Sequence, residues 1–327
     1  MLKFIDRLTS KVIGGGKISF DEACRLLRID DQKDILFLLS FANSIRNEFV
    51  GHDIDLCAII NAKSGRCSED CIFCSQSAHY STDIDKYQLI KKQKMLKRAE
   101  DVALAGVNRF SIVVSGRNVK DADEWDLICT AIKEMSLLNG LKICASLGLL
   151  TKKSAKDLVK AGLKRYHHNL ETSKSFFPYV CTTHSYEQRL ETVKIAKESG
   201  MQVCCGGIIG LGESMEQRVE LAFAIKELEI DSIPLNFLNP IPGTPLEKNH
   251  PVSPMDILKT IAVFRFINPK TDIRICGGRQ VNLRNTQALM YMAGASGVMV
   301  GNYLTTSNWD IEKDLQLIED LMLIQKV

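Results

Sequence analysis

The sequence has no apolar run that approaches the roughly 20 residues a helix needs to cross a bilayer, and residues 1–7 lack the apolar core of a secretory signal. It has no basic stripe either, since 42 lysines and arginines are scattered along the chain and balanced by 39 aspartates and glutamates. These absences argue against membrane and nucleic-acid partners. We therefore expect a soluble, cytoplasmic protein.

The chain also lacks a second cysteine pair of the C-x2-C type, although it contains eleven cysteines. In a reducing interior such thiols more often bind metal than form disulfides. Three are packed as Cys67-x3-Cys71-x2-Cys74, and three thiolates on one short loop can hold three irons of a cubane cluster while the fourth iron stays open to a substrate. The alternative is structural zinc, but a zinc ribbon would need the missing second pair.

Residues 1–50 have the periodicity of helices, whereas the chain beyond about residue 55 alternates between short apolar runs and amphipathic segments. Eight such alternations predict an α/β protein built as a (β/α)8 barrel of the TIM type, with a doubly wound sheet as the fallback. We predict an N-terminal helical extension over 1–50 and a barrel with a C-terminal helix over 51–327. The predicted strands are Leu56–Ile60, Arg109–Val114, Lys142–Ser146, Arg165–Leu170, Gln202–Ile208, Ser232–Phe237, Asp272–Cys276 and Gly297–Val300. The predicted helices between them cover 95–105, 124–138, 154–161, 187–198, 216–228, 255–266 and 285–293.

A second group of chemically active side chains falls on the later predicted strands. Because residues two apart share a strand face, Arg274 and Cys276 should point the same way, while Cys204 and Cys205 should point in opposite directions. A buried arginine needs a partner, and a second metal cluster inside the barrel would supply one. We favour ligation at Cys144, Cys204 and Cys276.

Cysteine can also act as a small apolar filler of a core. We favour that interpretation for Cys24, Cys129 and Cys181, which fall on helix or loop patterns. The loop from Cys67 to Cys74 differs from them because it directly follows the first predicted strand, and barrel active sites lie at the carboxyl ends of strands.

The cysteine spacing resembles the signature of the radical S-adenosylmethionine enzymes, with Phe73 at the position of their usual aromatic residue. Five longer stretches resemble one part of that superfamily, the biotin synthase family. They follow that family's order over roughly residues 50–310, and together they are far more specific than any one of them. The matching stretches are 61–65, 166–173, 204–213, 243–246 and 274–279.

The resemblance implies a transferase of biotin biosynthesis that binds a 4Fe–4S cluster, S-adenosylmethionine, dethiobiotin and an auxiliary iron–sulfur cluster, either 2Fe–2S or larger. Reduction of the first cluster would cleave S-adenosylmethionine, and the resulting 5′-deoxyadenosyl radical would take hydrogen from an unactivated carbon of dethiobiotin. The carbon radical would then acquire sulfur from the auxiliary cluster. The resemblance also implies a flavodoxin or ferredoxin as electron donor and a homodimer, and the predicted cluster itself implies oxygen sensitivity.

Carried over by position, the resemblance assigns roles to individual residues. Asn169 would hydrogen-bond substrate or cofactor. Glu171 lies where the family usually has an aspartate that binds the ribose hydroxyls of S-adenosylmethionine. Arg189 would meet the carboxylate of S-adenosylmethionine, which a guanidinium fork suits. The catalytic cluster would be held by Cys67, Cys71 and Cys74.

Other matching positions lie nearer the substrate. Asn236 would lie beside the ureido ring of dethiobiotin, and the glycine-rich stretch with Gly206 and Gly207 would let the cofactor approach a strand end. His168 is expected to be a structural hydrogen-bonding residue rather than a base. His167 replaces a usual asparagine, either as a tolerated polar exchange or with altered contact to the substrate ring.

The auxiliary cluster shows the clearest departure from the family pattern. In the better-known form of the family, three cysteines and an arginine hold a 2Fe–2S unit, and three of these positions are matched by Cys144, Cys204 and Arg274. Ser111 replaces the remaining cysteine, and its oxygen is a poor substitute for thiolate at iron. We hypothesise that Cys276 replaces the lost ligand, with Cys57 as a further candidate, in a rebuilt and larger cluster.

Two other functions remain open at this point. One is a different radical S-adenosylmethionine enzyme of similar barrel size, such as the maturase or methylornithine-forming relatives. The other is a non-catalytic zinc-binding interaction module, which would be colourless and would not cleave S-adenosylmethionine.

Overall fold

The structure is a computed structural model that describes residues 1–306 and 309–326. Its strands are β1 (Asp53–Lys63), β2 (Arg109–Val114), β3 (Lys142–Ser146), β4 (Arg165–His167), β5 (Gln202–Cys204), β6 (Gly207–Ile209), β7 (Ser232–Phe237), β8 (Asp272–Ile275), β9 (Gly297–Met299) and β10 (Ile324–Gln325). Its helices are α1 (Leu2–Ile13), α2 (Phe20–Leu27), α3 (Gln32–Phe49), α4 (Lys92–Leu104), α5 (Ala122–Met135), α6 (Lys152–Lys160), α7 (Tyr186–Glu198), α8 (Met215–Glu227), α9 (Pro254–Ile267), α10 (Arg279–Leu283), α11 (Leu289–Met292) and α12 (Ile311–Asp320).

The strands close into a parallel barrel. Neighbours follow the order β1, β2, β3, β4, β5, β7, β8, β9, and β1 also pairs with β9, which leaves the barrel without an open edge. Strands β5 and β6 both pair with β7 and share one position in the wall. The predicted (β/α)8 fold is therefore confirmed. The short strand β10 pairs in parallel with the start of β1, with Asp53 opposite Ile324.

Side-chain caps set where many of the outer helices begin. Ser19, Thr151, Ser185 and Ser214 each accept a hydrogen bond from the backbone three residues on and form capping boxes. Helices α2 and α3 pack against α9 from outside and β8 packs against it from inside, so every residue from Ile257 to Ile267 is buried. The division into an extension and a barrel stays a prediction.

The structure corrects two predicted elements. The fifth predicted strand is interrupted at Gly206, where a side chain would lie 1.9 Å from the carbonyl oxygen of Pro234. The helix predicted over 285–293 is not continuous in the structure, and Arg284, with a positive φ of 50°, separates this region from α10. A 3-10 turn and the short α11 take its place. None of the described helices is long and apolar enough to span a bilayer.

Candidate active site

A cavity of about 250 Å³ lies at the carboxyl ends of the strands and reaches into the barrel. Its wall contains residues from the cysteine loop, from the loops after β2, β3 and β4, and from the interior faces of the strands. Most of the predicted site residues come together there: Cys57, Cys67, Cys71, Phe73, Cys74, Ser111, Cys144, Asn169, Glu171, Arg189, Cys204, Asn236, Arg274 and Cys276.

The cysteine loop follows β1 and is fixed by its own backbone. Cys67 donates its N–H to the carbonyl of Gln76 at 2.9 Å and accepts from the N–H of Ala78 at 2.7 Å. All three thiols are free of disulfides. Burial raises the pKa of Cys67, and it raises the pKa of Cys74 to about 11, so the thiols stay protonated at neutral pH until a metal replaces the proton.

Two acidic residues inside this loop anchor it to the segment that follows β4. The Asp70 carboxylate accepts hydrogen bonds from the backbone N–H groups of Thr182 at 2.9 Å and Thr183 at 3.2 Å. Desolvation opposes ionisation of Asp70, but these and further hydrogen bonds hold its pKa below the usual range. Glu69 contacts His184 Nδ1 at 2.5 Å. Two consecutive residues of the loop are therefore held by one segment, residues 182–184.

Asn169, Glu171 and Arg189 form one hydrogen-bonded group beside the loop. Asn169 Nδ2 donates to Glu171 Oε2 at 3.2 Å, and Asn169 Oδ1 accepts from the N–H of Gly206 at 3.1 Å. Arg189 Nη1 donates to Glu171 Oε1 at 3.3 Å and to the Asn169 carbonyl at 2.9 Å. Glu171 has a positive φ of 69°, and non-glycine residues in that region cluster at functional sites.

Inside the barrel, the strand register places the second set of cysteines around one space. Ser111 lies opposite Cys144, Cys144 lies opposite Arg165, and Cys204 lies opposite His167 on neighbouring strands. Burial raises the pKa of the thiols of Cys57, Cys144 and Cys276, that of Cys57 to about 12. Cys205 faces away from the cavity, as the alternation of strand residues predicts.

Three arginines meet a single carboxylate at the inner end of this space. Asp55 Oδ2 accepts from Arg274 Nη2 at 2.7 Å and from Arg109 Nε at 2.8 Å, and Arg165 Nη1 lies 3.9 Å away. Burial alone would raise the pKa of Asp55, but Arg274 and Arg109 hold it well below the usual range. Three buried cations facing one buried anion leave surplus positive charge beside the cysteines.

The chemistry of these residues fits iron–sulfur clusters at two places. Thiols are the usual ligands of such clusters, and surplus buried positive charge suits a group of net negative charge. Several buried polar atoms at the cavity, including His168 Nε2 and Arg165 Nε, have no hydrogen-bond partner among the described residues.

Replacing Asp55 with asparagine should destabilise the protein by about 3–5 kcal/mol, because the change leaves buried arginines without their counter-charge. Urea denaturation of the metal-free protein under reducing conditions measures this. Asp53→Asn is the matched control, since Asp53 lies two residues earlier on the same strand and is exposed. A difference of less than about 1 kcal/mol between the two variants would contradict the buried charge network as a stabilising element.

Comparison with known proteins shows which family this chain belongs to. The model of the radical SAM superfamily matches residues 62–225, and that of the biotin and thiamin synthesis associated domain matches residues 234–324. The chain is 47% identical to a biotin synthase of Geotalea daltonii over 98% of this chain and 97% of the relative. It is 48% identical to a biotin synthase of Carboxydothermus hydrogenoformans over 98% and 99%. The chain belongs to the biotin synthase family.

Two solved structures share the fold of this biotin synthase family member. A methylornithine synthase superposes with a TM-score of 0.86 at 20% identity, covering 98% of this chain and 97% of that one. The FeFe-hydrogenase maturase from Carboxydothermus hydrogenoformans gives 0.82 at 18% identity, covering 98% and 79%. At such identities the likeness shows the barrel fold alone, whereas the biotin synthases match in sequence along the whole chain.

Membership of the biotin synthase family identifies the cofactors, and the residues that line the cavity fit them. A radical SAM enzyme uses a 4Fe–4S cluster and S-adenosylmethionine, and a biotin synthase also uses an auxiliary iron–sulfur cluster. The individual ligand assignments stay predictions. Gly206 and Gly207 do not line the cavity, and their lack of a side chain is explained by close contact with the backbones of Pro234 and Glu171.

Sequence reasoning missed several residues of this site. Cys181, interpreted as an apolar filler, has its thiol 3.1 Å from Asp70 Oδ1 and 3.2 Å from His184 Nδ1. His168 is expected to be a structural hydrogen-bonding residue rather than a base, and its Nε2 has no hydrogen-bond partner among the described residues. The strand period could have found Arg109, which shares a face with Ser111 two residues later.

Proposed function

We propose that this chain converts dethiobiotin to biotin, with S-adenosylmethionine as the radical source and an auxiliary iron–sulfur cluster as the sulfur donor. The observation that carries the proposal is one cavity lined at its rim by the cysteine loop and inside the barrel by a second set of four cysteines with Arg274. When bound, the clusters supply an electron for cleavage of S-adenosylmethionine and a sulfur atom for the product.

The rim of the cavity is suited to hold S-adenosylmethionine. Cys67, Cys71 and Cys74 are proposed to bind the 4Fe–4S cluster and Phe73 to pack beside the cofactor. Glu171 offers a carboxylate for the ribose hydroxyls. Arg189 offers its Nη2 atom, which has no hydrogen bond among the described residues, for the carboxylate of the methionine end.

Exchanging Glu171 for glutamine is expected to raise the KM for S-adenosylmethionine about 10-fold or more, because one charged hydrogen-bond acceptor is lost. The ratio of biotin to 5′-deoxyadenosine should stay unchanged, since the residue serves the cofactor rather than dethiobiotin. Initial rates of biotin and of 5′-deoxyadenosine formation, measured against S-adenosylmethionine concentration, give both the KM and the product ratio. Glu187→Gln, at an exposed position on α7, is the control, and an equal KM in the two variants would refute the assignment.

Asn236 is proposed to bind the ureido ring of dethiobiotin. Its Oδ1 accepts from the N–H of Gly277 at 3.0 Å and its Nδ2 donates to the carbonyl of Gly207 at 3.3 Å. These bonds fix the amide and leave one N–H and one lone pair directed elsewhere. A ureido group, which carries both a carbonyl and N–H groups, complements that pair.

The auxiliary cluster is proposed to be bound inside the barrel by Cys144, Cys204 and Cys276, with Cys57 and Arg274 as further ligands. Ser111 lies beside Cys144 at the family's usual ligand position. A serine hydroxyl loses its proton with difficulty at neutral pH, so the added thiol of Cys276 supports the rebuilt ligand set. The surplus positive charge around Asp55 supports a cluster of net negative charge.

We propose in addition a flavodoxin or ferredoxin as the electron donor, a homodimer and a cytoplasmic location, all supported by the family resemblance. Reduction of the purified protein by each donor, and its mass in solution, test the first two. Fluorescence microscopy of a tagged protein tests the third.

The direct test of the proposed function is anaerobic incubation with dethiobiotin, S-adenosylmethionine and a reductant. Biotin and 5′-deoxyadenosine are the expected products. Formation of 5′-deoxyadenosine without biotin would favour another radical SAM enzyme. Colourless protein containing zinc would favour an interaction module.

A further inference from the structure

An unbroken chain of hydrogen bonds runs from the cysteine loop to the hydrogen-bonded group of Asn169, Glu171 and Arg189. Glu69 contacts His184 Nδ1 at 2.5 Å, and His184 Nε2 accepts from Arg189 Nε at 2.9 Å. Arg189 then reaches Asn169 and Glu171 through Nη1. Glu69, His184 and Arg189 are each at most 8% exposed, so solvent does not compete for these bonds.

The geometry assigns the tautomer of His184. Arginine Nε can only donate a hydrogen bond, so His184 Nε2 must accept, and the ring proton lies on Nδ1 and points to Glu69. The ring is also held by an edge contact with Phe177, with centroids 5.7 Å apart. Both nitrogens are therefore committed, and the ring has one orientation.

This arrangement excludes His184 as a metal ligand. One of its ring nitrogens lies within 4.8 Å of the thiols of Cys71 and Cys181, as a metal site would require. A nitrogen that carries a proton has no lone pair to donate, and Nε2 is already used by Arg189. The close grouping of the three residues therefore needs another explanation.

We propose that His184 is a positioning residue for the cofactor: it fixes the Arg189 guanidinium relative to the cysteine loop so that Nη2 faces the carboxylate of S-adenosylmethionine. The inference rests on the role proposed for Arg189 above. His184 accepts the hydrogen bond of Arg189 Nε, while Glu171 and the Asn169 carbonyl accept those of Arg189 Nη1. Arg189 Nη2 is left to bind the carboxylate of S-adenosylmethionine. Because Glu69 belongs to the cysteine loop, the same ring sets the distance between the cluster ligands and the carboxylate site.

Two substitutions of His184 test the contacts of its two ring nitrogens separately. An asparagine amide reaches the place of Nδ1, so His184→Asn keeps a donor for Glu69 and loses the contact to Arg189. A glutamine amide reaches the place of Nε2, so His184→Gln keeps an acceptor for Arg189 and loses the contact to Glu69. His250→Asn is the matched control at an exposed site.

His184→Asn should raise the KM for S-adenosylmethionine about 10–100-fold, the loss expected for one charge-assisted hydrogen bond. Its kcat at saturating cofactor should change little. His184→Gln should raise the KM less than about 5-fold, because the guanidinium keeps its partner. Equilibrium dialysis of the anaerobically reconstituted protein measures cofactor affinity directly, and iron content shows that each variant holds its clusters.

A double-mutant cycle decides whether His184 acts through Arg189. In the Arg189→Ala background, His184→Asn should have almost no further effect on cofactor affinity. Full additivity, equal KM values for the asparagine and glutamine variants, or loss of iron in both would overturn the proposal. The readouts need only cofactor binding and 5′-deoxyadenosine, so a wild-type protein that makes no biotin would refute the proposed function and leave this test intact.

Discussion

Cys74→Ala is expected to abolish cleavage of S-adenosylmethionine. The 4Fe–4S cluster would lose one of its three proposed thiolate ligands, and alanine offers no donor atom in its place. Formation of 5′-deoxyadenosine should fall by at least about 10⁶-fold, the lower end of enzymatic rate enhancements, because the chemistry belongs to the cofactor. Anaerobic product analysis and iron counting measure the effect.

The control for this substitution is Cys129→Ala, which removes a thiol from α5, away from the cavity. It should keep wild-type iron content and turnover. Cys74 is the sharper choice than Cys71, because the Cys181 thiol lies close to Cys71 and could replace it. Normal 5′-deoxyadenosine formation by the Cys74 variant would remove the basis for the cysteine loop as the cluster site.

Cys276→Ala is expected to separate the two halves of the reaction. Biotin formation should fall by at least about 100-fold, beyond the 10–100-fold loss typical of a group that only supports a metal ligand. Cleavage of S-adenosylmethionine should continue, because the cysteine loop is untouched. Iron and sulfide counts with Mössbauer spectra should show one cluster retained and the auxiliary cluster lost.

Two further variants sharpen this prediction. Cys205→Ala changes a thiol that neighbours Cys204 but faces away from the cavity, and it should keep both clusters. Ser111→Cys in the Cys276→Ala background restores a thiol beside Cys144 and should recover part of the iron. A Cys276→Ala protein with a full 2Fe–2S signal and normal turnover would show that Ser111 and Arg274 suffice and that Cys276 is not a ligand.

Much of the barrel could be predicted because its strands are short, apolar and separated by regular helical patterns. The second, third and sixth predicted strands have the same bounds in the structure as β2, β3 and β7. The break in the fifth strand could not be read from the sequence, because it depends on how closely Gly206 approaches Pro234. A glycine alone does not reveal which neighbour requires it.

The cysteines of the site were found by spacing and by the period of two along strands, both of which are local signals. The charge network was missed because Asp55, Arg109 and Arg165 come from three strands that meet only when the barrel closes. The contact of Glu69 with His184 joins positions 115 residues apart. No local pattern indicates such a contact, so it required the structure.

The most direct test of the account is the origin of the sulfur in the product. Protein reconstituted with iron and heavy-isotope sulfide, freed of excess reagent and placed in buffer with ordinary sulfide, is allowed one turnover on dethiobiotin. Mass spectrometry should find biotin that carries the heavy isotope, because the sulfur is proposed to come from a cluster that the barrel cysteines bind. Biotin containing only ordinary sulfur, or no biotin at all, would contradict the account.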